Sequence, residues 1–197
     1  ADAAEPGSTF KTMSVLAGLE KEKFTPETTV DVGNGRYRMY GQSISDTRGY
    51  GVIDVNDVMI KSSNIGIAKL IDKAFGSDPR EYFEQLDKWY LTDTIGIDIE
   101  GEAKPKFHSP SDGNWSKVTL PVMSYGYGVQ LTPLQILTFY NGIANKGKLL
   151  RPLFIDKIEK SNGEIKEFSP QVLVEKMASD ENIDAMVEML TRVVSEG

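Results

Sequence analysis

Ser8 and Lys11, three residues apart, are the first residues of this chain whose types and spacing could do chemistry together. On a helix that spacing puts both side chains on one face. A serine hydroxyl is a weak nucleophile until a base takes its proton. A lysine amine can be that base where burial or neighbouring cations keep it partly neutral. A serine at a helix N-terminus also meets backbone N–H groups that stabilise developing negative charge. The pair therefore points to nucleophilic acyl transfer. On these four residues alone, a helix-capping serine with a solvated lysine carries more weight.

A second polar group follows in Ser62-Ser63-Asn64, 54 residues downstream (62 minus 8). The Ser62 hydroxyl could relay a proton between Lys11 and a leaving amine, and the Asn64 amide could bind a substrate carbonyl or orient Lys11. Taken alone, the triplet reads as a helix break. Tyr125, Gly126 and Tyr127, with Gly128 after them, could line a substrate groove; packing tyrosines and turn glycines fit as well. Asp98, Glu100 and Glu102 read as a solvated acidic loop rather than a carboxylate pair or a calcium site. The single histidine, His108, lies in a loop segment and is not expected to be catalytic. With no cysteine, there is no disulfide, no thiol nucleophile and no Cys metal site, and one histidine excludes a multi-histidine metal site. No cofactor is expected.

The elements that must hold these residues can be read from the pattern. Glu5-Pro6-Gly7 is a turn, and a helix opens at residues 8–11 with Met13, Leu16 and Leu19 or Ala17 on one face. Residues 28–40 are β-rich and broken at Gly33-Asn34-Gly35 by a hairpin or loop. Residues 54–75 look helical, with the break at 62–64. Further helices start at Asp78-Pro79 and Thr132-Pro133, the second stopping near Gly147. Ser179 caps a last helix with a stripe of Ile183, Met186, Val187, Leu190 and Val194. Asn162-Gly163 between two short runs marks a hairpin. Leu86, Trp89 and Tyr90 are expected in the core. The fold class is mixed α+β, with helices dominating.

The chain has 197 residues, a charged share of 26% and a net charge of −7. That length suits one domain with a real core. The acidic balance argues against nucleic acid, which needs clustered Lys and Arg. No apolar run is long enough to span a membrane, and no signal peptide is evident. The chain is expected to be a fragment whose targeting segments lie elsewhere.

Four segments carry a resemblance. Residues 5–11 (Glu-Pro-Gly-Ser-Thr-Phe-Lys) resemble the active-serine motif of class B penicillin-binding proteins, and residues 61–66 (Lys-Ser-Ser-Asn-Ile-Gly) resemble their second motif. Residues 124–135, from Ser124 to Gln135, are similar to a family signature between the second and third motifs. Residues 96–102 are similar to a Gly-Ile-Asp-Leu-Pro-Gly-Glu stretch, with Glu100 in place of the proline. The resemblance runs over nearly the whole chain. It implies the penicillin-binding-protein/serine β-lactamase fold, a helical subdomain beside an antiparallel sheet. It also implies a D,D-transpeptidase in which Ser8 attacks the D-Ala-D-Ala end of a peptidoglycan stem peptide, and in which β-lactams acylate Ser8. Lys11, Ser62 and Asn64 would complete its catalytic set, with Tyr125, Gly126 and Tyr127 as substrate-binding candidates. The division-specific type is favoured over the elongation-specific one. The parent protein would lie outside the cytoplasm, anchored in the cytoplasmic membrane, with a glycosyltransferase and division proteins as partners.

The third family motif, Lys-Thr/Ser-Gly, is missing. By family spacing it falls just beyond Gly197, so residues 1–197 would be a partial transpeptidase domain without its C-terminal strands. Such a piece is expected to be nearly inactive by itself, since one oxyanion donor is lost. Two rivals remain. A class D serine β-lactamase shares Ser-Thr-Phe-Lys, but there the second motif ends in Val rather than Asn, and a Tyr-Gly-Asn element is present where Tyr125-Gly126-Tyr127 stands here. A β-lactam sensor or degenerate scaffold would keep the fold without turnover.

Overall fold

The computed structural model describes residues 2–197. A 3-10 turn, Gly7–Thr9, leads directly into α1 (Phe10–Glu20). Every residue of α1 from Phe10 to Leu19 is buried, so the expected single apolar face is in fact an all-round buried helix. It contacts α2 (Val55–Ile60), α3 (Asn64–Phe75), α4 (Arg80–Lys88), α5 (Thr119–Ser124) and α7 (Asp180–Glu196). The polar side chains on this central helix all have partners, as burial requires. The Ser14 hydroxyl donates to the Ser124 carbonyl at 2.8 Å and meets the Tyr82 hydroxyl at 2.6 Å. Thr12 meets the Tyr140 hydroxyl at 2.8 Å, and that hydroxyl reaches the Thr9 carbonyl at 3.0 Å.

The strands form antiparallel pairs, nested twice. β1 (Thr29–Gly33) pairs with β4 (Gly51–Asp54), Val30 opposite Ile53, and the hairpin of β2 (Arg36–Met39) and β3 (Gln42–Ser45) sits between them in the chain. β5 (Leu149–Leu150) likewise pairs with β8 (Val172–Val174) around β6 (Lys157–Glu159) and β7 (Ile165–Glu167). The break at 33–35 is therefore the corner between two ribbons, not a hairpin turn. The hairpin signal at Asn162-Gly163 is met by the β6–β7 pair, with Ile158 opposite Lys166.

Helix starts follow their local chemistry. Thr132 makes a capping box with Gln135 at the head of α6 (Pro133–Ala144), and the Ser179 side chain accepts from Asn182 N at the head of α7. Asp78 accepts from Arg80 N at 3.2 Å, while Pro79 stands at the cap of α4 rather than inside it. Two core expectations fail. Trp89 is buried and its indole N–H donates to the Met177 carbonyl, but Tyr90 adopts φ 58° after α4 ends and is 37% exposed. In α7 the buried positions are Ile183, Met186 and Met189, so Val187 and Val194 face solvent. No helix among the described residues is long and apolar enough to cross a membrane.

Candidate active site

The site forms where the N-terminus of α1 meets the turn between α2 and α3. Lys11 is 2% exposed, buried under two exposed serines. Its amine donates to the Ser8 hydroxyl at 3.2 Å, to the Ser62 hydroxyl at 2.9 Å and to the Ser62 carbonyl at 2.6 Å. The Ser62 hydroxyl in turn donates to Ser8 Oγ at 3.1 Å. Two hydroxyls and one amine thus close a triangle, with the hydroxyls on the solvent side.

Burial dominates the electrostatics of Lys11. Desolvation disfavours the ammonium and brings its pKa down to about 8, and the Asp46 carboxylate pulls in the opposite direction. At pH 7 roughly a tenth of such an amine is neutral, against about one part in three thousand for an ordinary lysine. A neutral amine that keeps its two N–H bonds on Ser62 turns its lone pair toward the Ser8 hydroxyl. The arrangement can therefore take a proton from Ser8 and pass one on through Ser62.

Local backbone geometry explains how Ser62 gets there. It lies at φ 50°, a left-handed conformation that costs a non-glycine residue about 1–2 kcal/mol. Ser63 N–H bonds back to the Val58 carbonyl at 2.9 Å, closing the turn after α2. Ser63 then caps α3, its hydroxyl accepting from Gly66 N at 2.8 Å. Asn64 does not bond to Lys11; its side-chain amide donates to the Ser45 carbonyl at 3.1 Å. The expected orienting role of Asn64 toward Lys11 is thus not seen, because the turn points its amide at the end of β3.

The Tyr125–Tyr127 segment packs against the turn that leads into Ser8. Gly7 N–H donates to the Gly126 carbonyl at 3.1 Å, and a Cβ on Gly126 would lie 2.0 Å from the Gly7 carbonyl oxygen. Gly126 also has φ +88°, so glycine is required twice over. The Glu5 carboxylate accepts from Gly128 N at 2.9 Å, and Ala4 exchanges two backbone bonds with Leu131, each at 2.9 Å. This segment therefore clamps the chain that leads into Ser8. Tyr125 is buried in packing, and Tyr127 is 49% exposed.

These four motifs sit on one scaffold with known counterparts. All of residues 1–197 match the model of the penicillin-binding protein transpeptidase domain. The chain belongs to that family. It is 28% identical over 196 residues to the peptidoglycan D,D-transpeptidase FtsI of Escherichia coli K12, covering 100% of this chain and 30% of that protein. It is 30% identical over 198 residues to the FtsI of Buchnera aphidicola, covering 100% of this chain and 32% of that one. The chain thus spans about a third of the length of these curated relatives. Among solved structures, penicillin-binding protein 3 of Mycobacterium tuberculosis in complex with aztreonam superposes with a TM-score of 0.84 at 27% identity, covering 100% of this chain and 43% of the other. The apo transpeptidase domain of Burkholderia pseudomallei penicillin-binding protein 3 gives 0.83 at 28% identity, covering 100% and 55%.

Within this transpeptidase family member, several residues with little sequence signal make hydrogen bonds or close contacts around the motifs. Asp46 accepts from the Ser63 hydroxyl at 2.5 Å, from Asn64 N at 2.7 Å and from Ile65 N at 3.1 Å. Glu5 and Gly126 hold the approach to Ser8, as above. Glu102, grouped with a solvated acidic loop from sequence, accepts from the backbone N–H groups of Ile95, Gly96 and Ile97 at 2.6, 2.9 and 3.2 Å. His108 meets Asn114 at 3.1 Å in its exposed loop. A cleft of about 880 Å³ beside the C-terminal end of α1, lined by Glu22, Glu27, Glu181 and Glu188 among others, includes neither Ser8 nor Lys11. Among the described residues no cluster of three or more His, Asp or Glu side chains is arranged to hold a metal.

Proposed function

We propose that this chain carries the acyl-transfer centre of a peptidoglycan D,D-transpeptidase, with Ser8 as nucleophile, Lys11 as base and Ser62 as proton relay. The observation that carries the reading is the triangle of contacts, 3.2, 2.9 and 3.1 Å, joining Ser8, Lys11 and Ser62 across 54 residues of chain. Family membership over the whole chain supports it.

The steps follow from the geometry. Neutral Lys11 takes the Ser8 proton as Ser8 Oγ forms a bond to the carbonyl carbon of the penultimate D-alanine. The C–N bond to the terminal D-alanine then breaks. Its nitrogen receives the proton that Lys11 held, handed across by the Ser62 hydroxyl, and D-alanine leaves. An amine on a second stem peptide attacks the ester, returns its proton along the same route, and restores Ser8. A β-lactam enters by the first step only, its ring amide opening while the amine stays tethered. Asn64 and the Tyr125–Tyr127 segment are the substrate-side candidates, Tyr127 by its exposure.

The wider reading is that the chain is a partial transpeptidase domain. Its support is the absence of Lys-Thr/Ser-Gly from the sequence and the partial coverage of the solved relatives. The protein would act outside the cytoplasm, anchored to the cytoplasmic membrane, with a glycosyltransferase and division proteins as partners. The division-specific type is favoured on general sequence likeness.

The gene-encoded protein, given a stem pentapeptide, should release D-alanine, and Ser8→Ala should abolish the release. The 197-residue chain alone should be labelled by a fluorescent penicillin about a hundred- to a thousand-fold more slowly than the gene-encoded protein, the typical cost of a missing oxyanion donor. Release by Ser8→Ala at the wild-type rate would reject the nucleophile. Equal labelling of the two forms would reject the partial-domain reading.

A further inference from the structure

We propose that Asp46 is a positioning residue of acylation: it clamps the Ser62–Asn64 turn so that the Ser62 hydroxyl and carbonyl stay on the Lys11 amine. The inference rests on the acyl-transfer reading of the site and adds a residue that neither motif contains.

Asp46 lies just after β3, half-buried, and its carboxylate is wholly directed at the second motif. Oδ1 accepts the backbone N–H groups of Asn64 and Ile65, and Oδ2 accepts the Ser63 hydroxyl. No ion pair among the described residues involves it. Its own N–H is tied to the Gly35 carbonyl at 3.0 Å, so the acceptor sits on a fixed backbone. The neighbouring Ser45 carbonyl holds the Asn64 side chain. Two consecutive residues thus grip the turn from one side.

An ordinary helix cap does not account for this. Ser63 already caps α3 through Gly66 N. Asp46 adds acceptors for two further first-turn N–H groups and for the hydroxyl of a fully buried serine. A negative charge at the start of a 12-residue helix is also favourable in itself. What makes the clamp matter for chemistry is its neighbour. Ser62 holds a left-handed backbone, and it alone supplies two of the three Lys11 contacts. Such a conformation persists only where the surroundings over-determine it. With Asp46 removed, the turn loses three bonds immediately beside Ser62, and Ser62 can relax toward the ordinary region and leave Lys11.

The test uses the gene-encoded protein and a fluorescent penicillin, with the acylation rate measured against concentration. Asp46→Ala should lower the saturated rate by about a hundredfold, the scale of a misplaced catalytic group, with half-saturation changed by less than about twofold. Asp46→Asn should recover at least about tenfold of that loss, because its Oδ1 still accepts from Asn64 and Ile65. Ser179→Ala, which removes the cap of α7 far along the chain, serves as the stability control and should keep the wild-type saturated rate. An Asp46→Ala protein that acylates at the wild-type rate, or slows no more than Ser179→Ala, overturns the proposal. If the wild type is not labelled on Ser8 at all, the acyl-transfer reading falls by itself, and the clamp is judged by the crystal structure of Asp46→Ala. There, Ser62 departing from positive φ and parting from Lys11 supports the clamp, and an unmoved turn overturns it.

Discussion

The Lys11 amine donates to the Ser62 carbonyl at 2.6 Å, shorter than its contacts to either hydroxyl. Ser62 has a positive φ, and its carbonyl and hydroxyl both meet the same amine. One residue therefore holds the Lys11 amine through both its backbone carbonyl and its side-chain hydroxyl. The pairing fixes the orientation of Lys11 before any substrate arrives, which is the condition for a base to act without reorganisation.

Replacing the base by a permanent cation separates charge from basicity. Lys11→Arg keeps a positive side chain and hydrogen-bond donors, but a guanidinium does not give up its proton in this range. Penicillin acylation of the gene-encoded protein should fall by about a hundred- to ten-thousand-fold, the usual worth of a general base. Circular dichroism should remain that of the wild type. Acylation at the wild-type rate would remove Lys11 from the mechanism.

The pH profile should follow the lowered lysine. Lys11 acts as a base only when neutral, and burial brings its pKa to about 8. Below that value protonation removes the active form, so the saturated acylation rate should climb about tenfold per pH unit and level off above about 8. A profile that is flat from pH 6 to 9 would show that Lys11 does not carry the proton.

How much of this was legible depends on distance along the chain. The Ser8–Lys11 spacing is local, so a helical pattern suffices to place both on one face. The capping box at Thr132 and the turn at Asn162-Gly163 are local too, and both formed as expected. Asp46 gave no signal, because an aspartate after a short strand looks like any solvated turn residue; its partners lie 17 to 19 residues on. That the Asn64 amide meets the Ser45 carbonyl rather than Lys11 is hidden for the same reason, since only the folded chain brings Ser45 within reach. The all-round burial of α1 was hidden because periodicity reports one stripe, while five other helices cover this one.

The contact of Gly7 with Gly126 was equally invisible, and it gives a sharp stability comparison. Gly126 and Gly41 have nearly the same φ, +88° and +89°, but a Cβ at Gly41 meets nothing within 4 Å. Gly41→Ala should cost about 1–2 kcal/mol from conformation alone. Gly126→Ala adds a collision with the Gly7 carbonyl and should cost about 3 kcal/mol or more. It should also slow labelling of Ser8, which Gly41→Ala should not. Equal losses in thermal unfolding would mean that the Gly126 segment does not brace the approach to Ser8.

The most direct measurement is the site of covalent attachment. The gene-encoded protein is reacted with a labelled penicillin, digested, and the modified peptide sequenced by mass spectrometry, beside Ser8→Ala treated identically. The adduct should lie on Ser8 in one stoichiometric position, and Ser8→Ala should carry none. An adduct on any other residue, or unchanged labelling of Ser8→Ala, would mean that the Ser8–Lys11–Ser62 triangle is not the acylation centre.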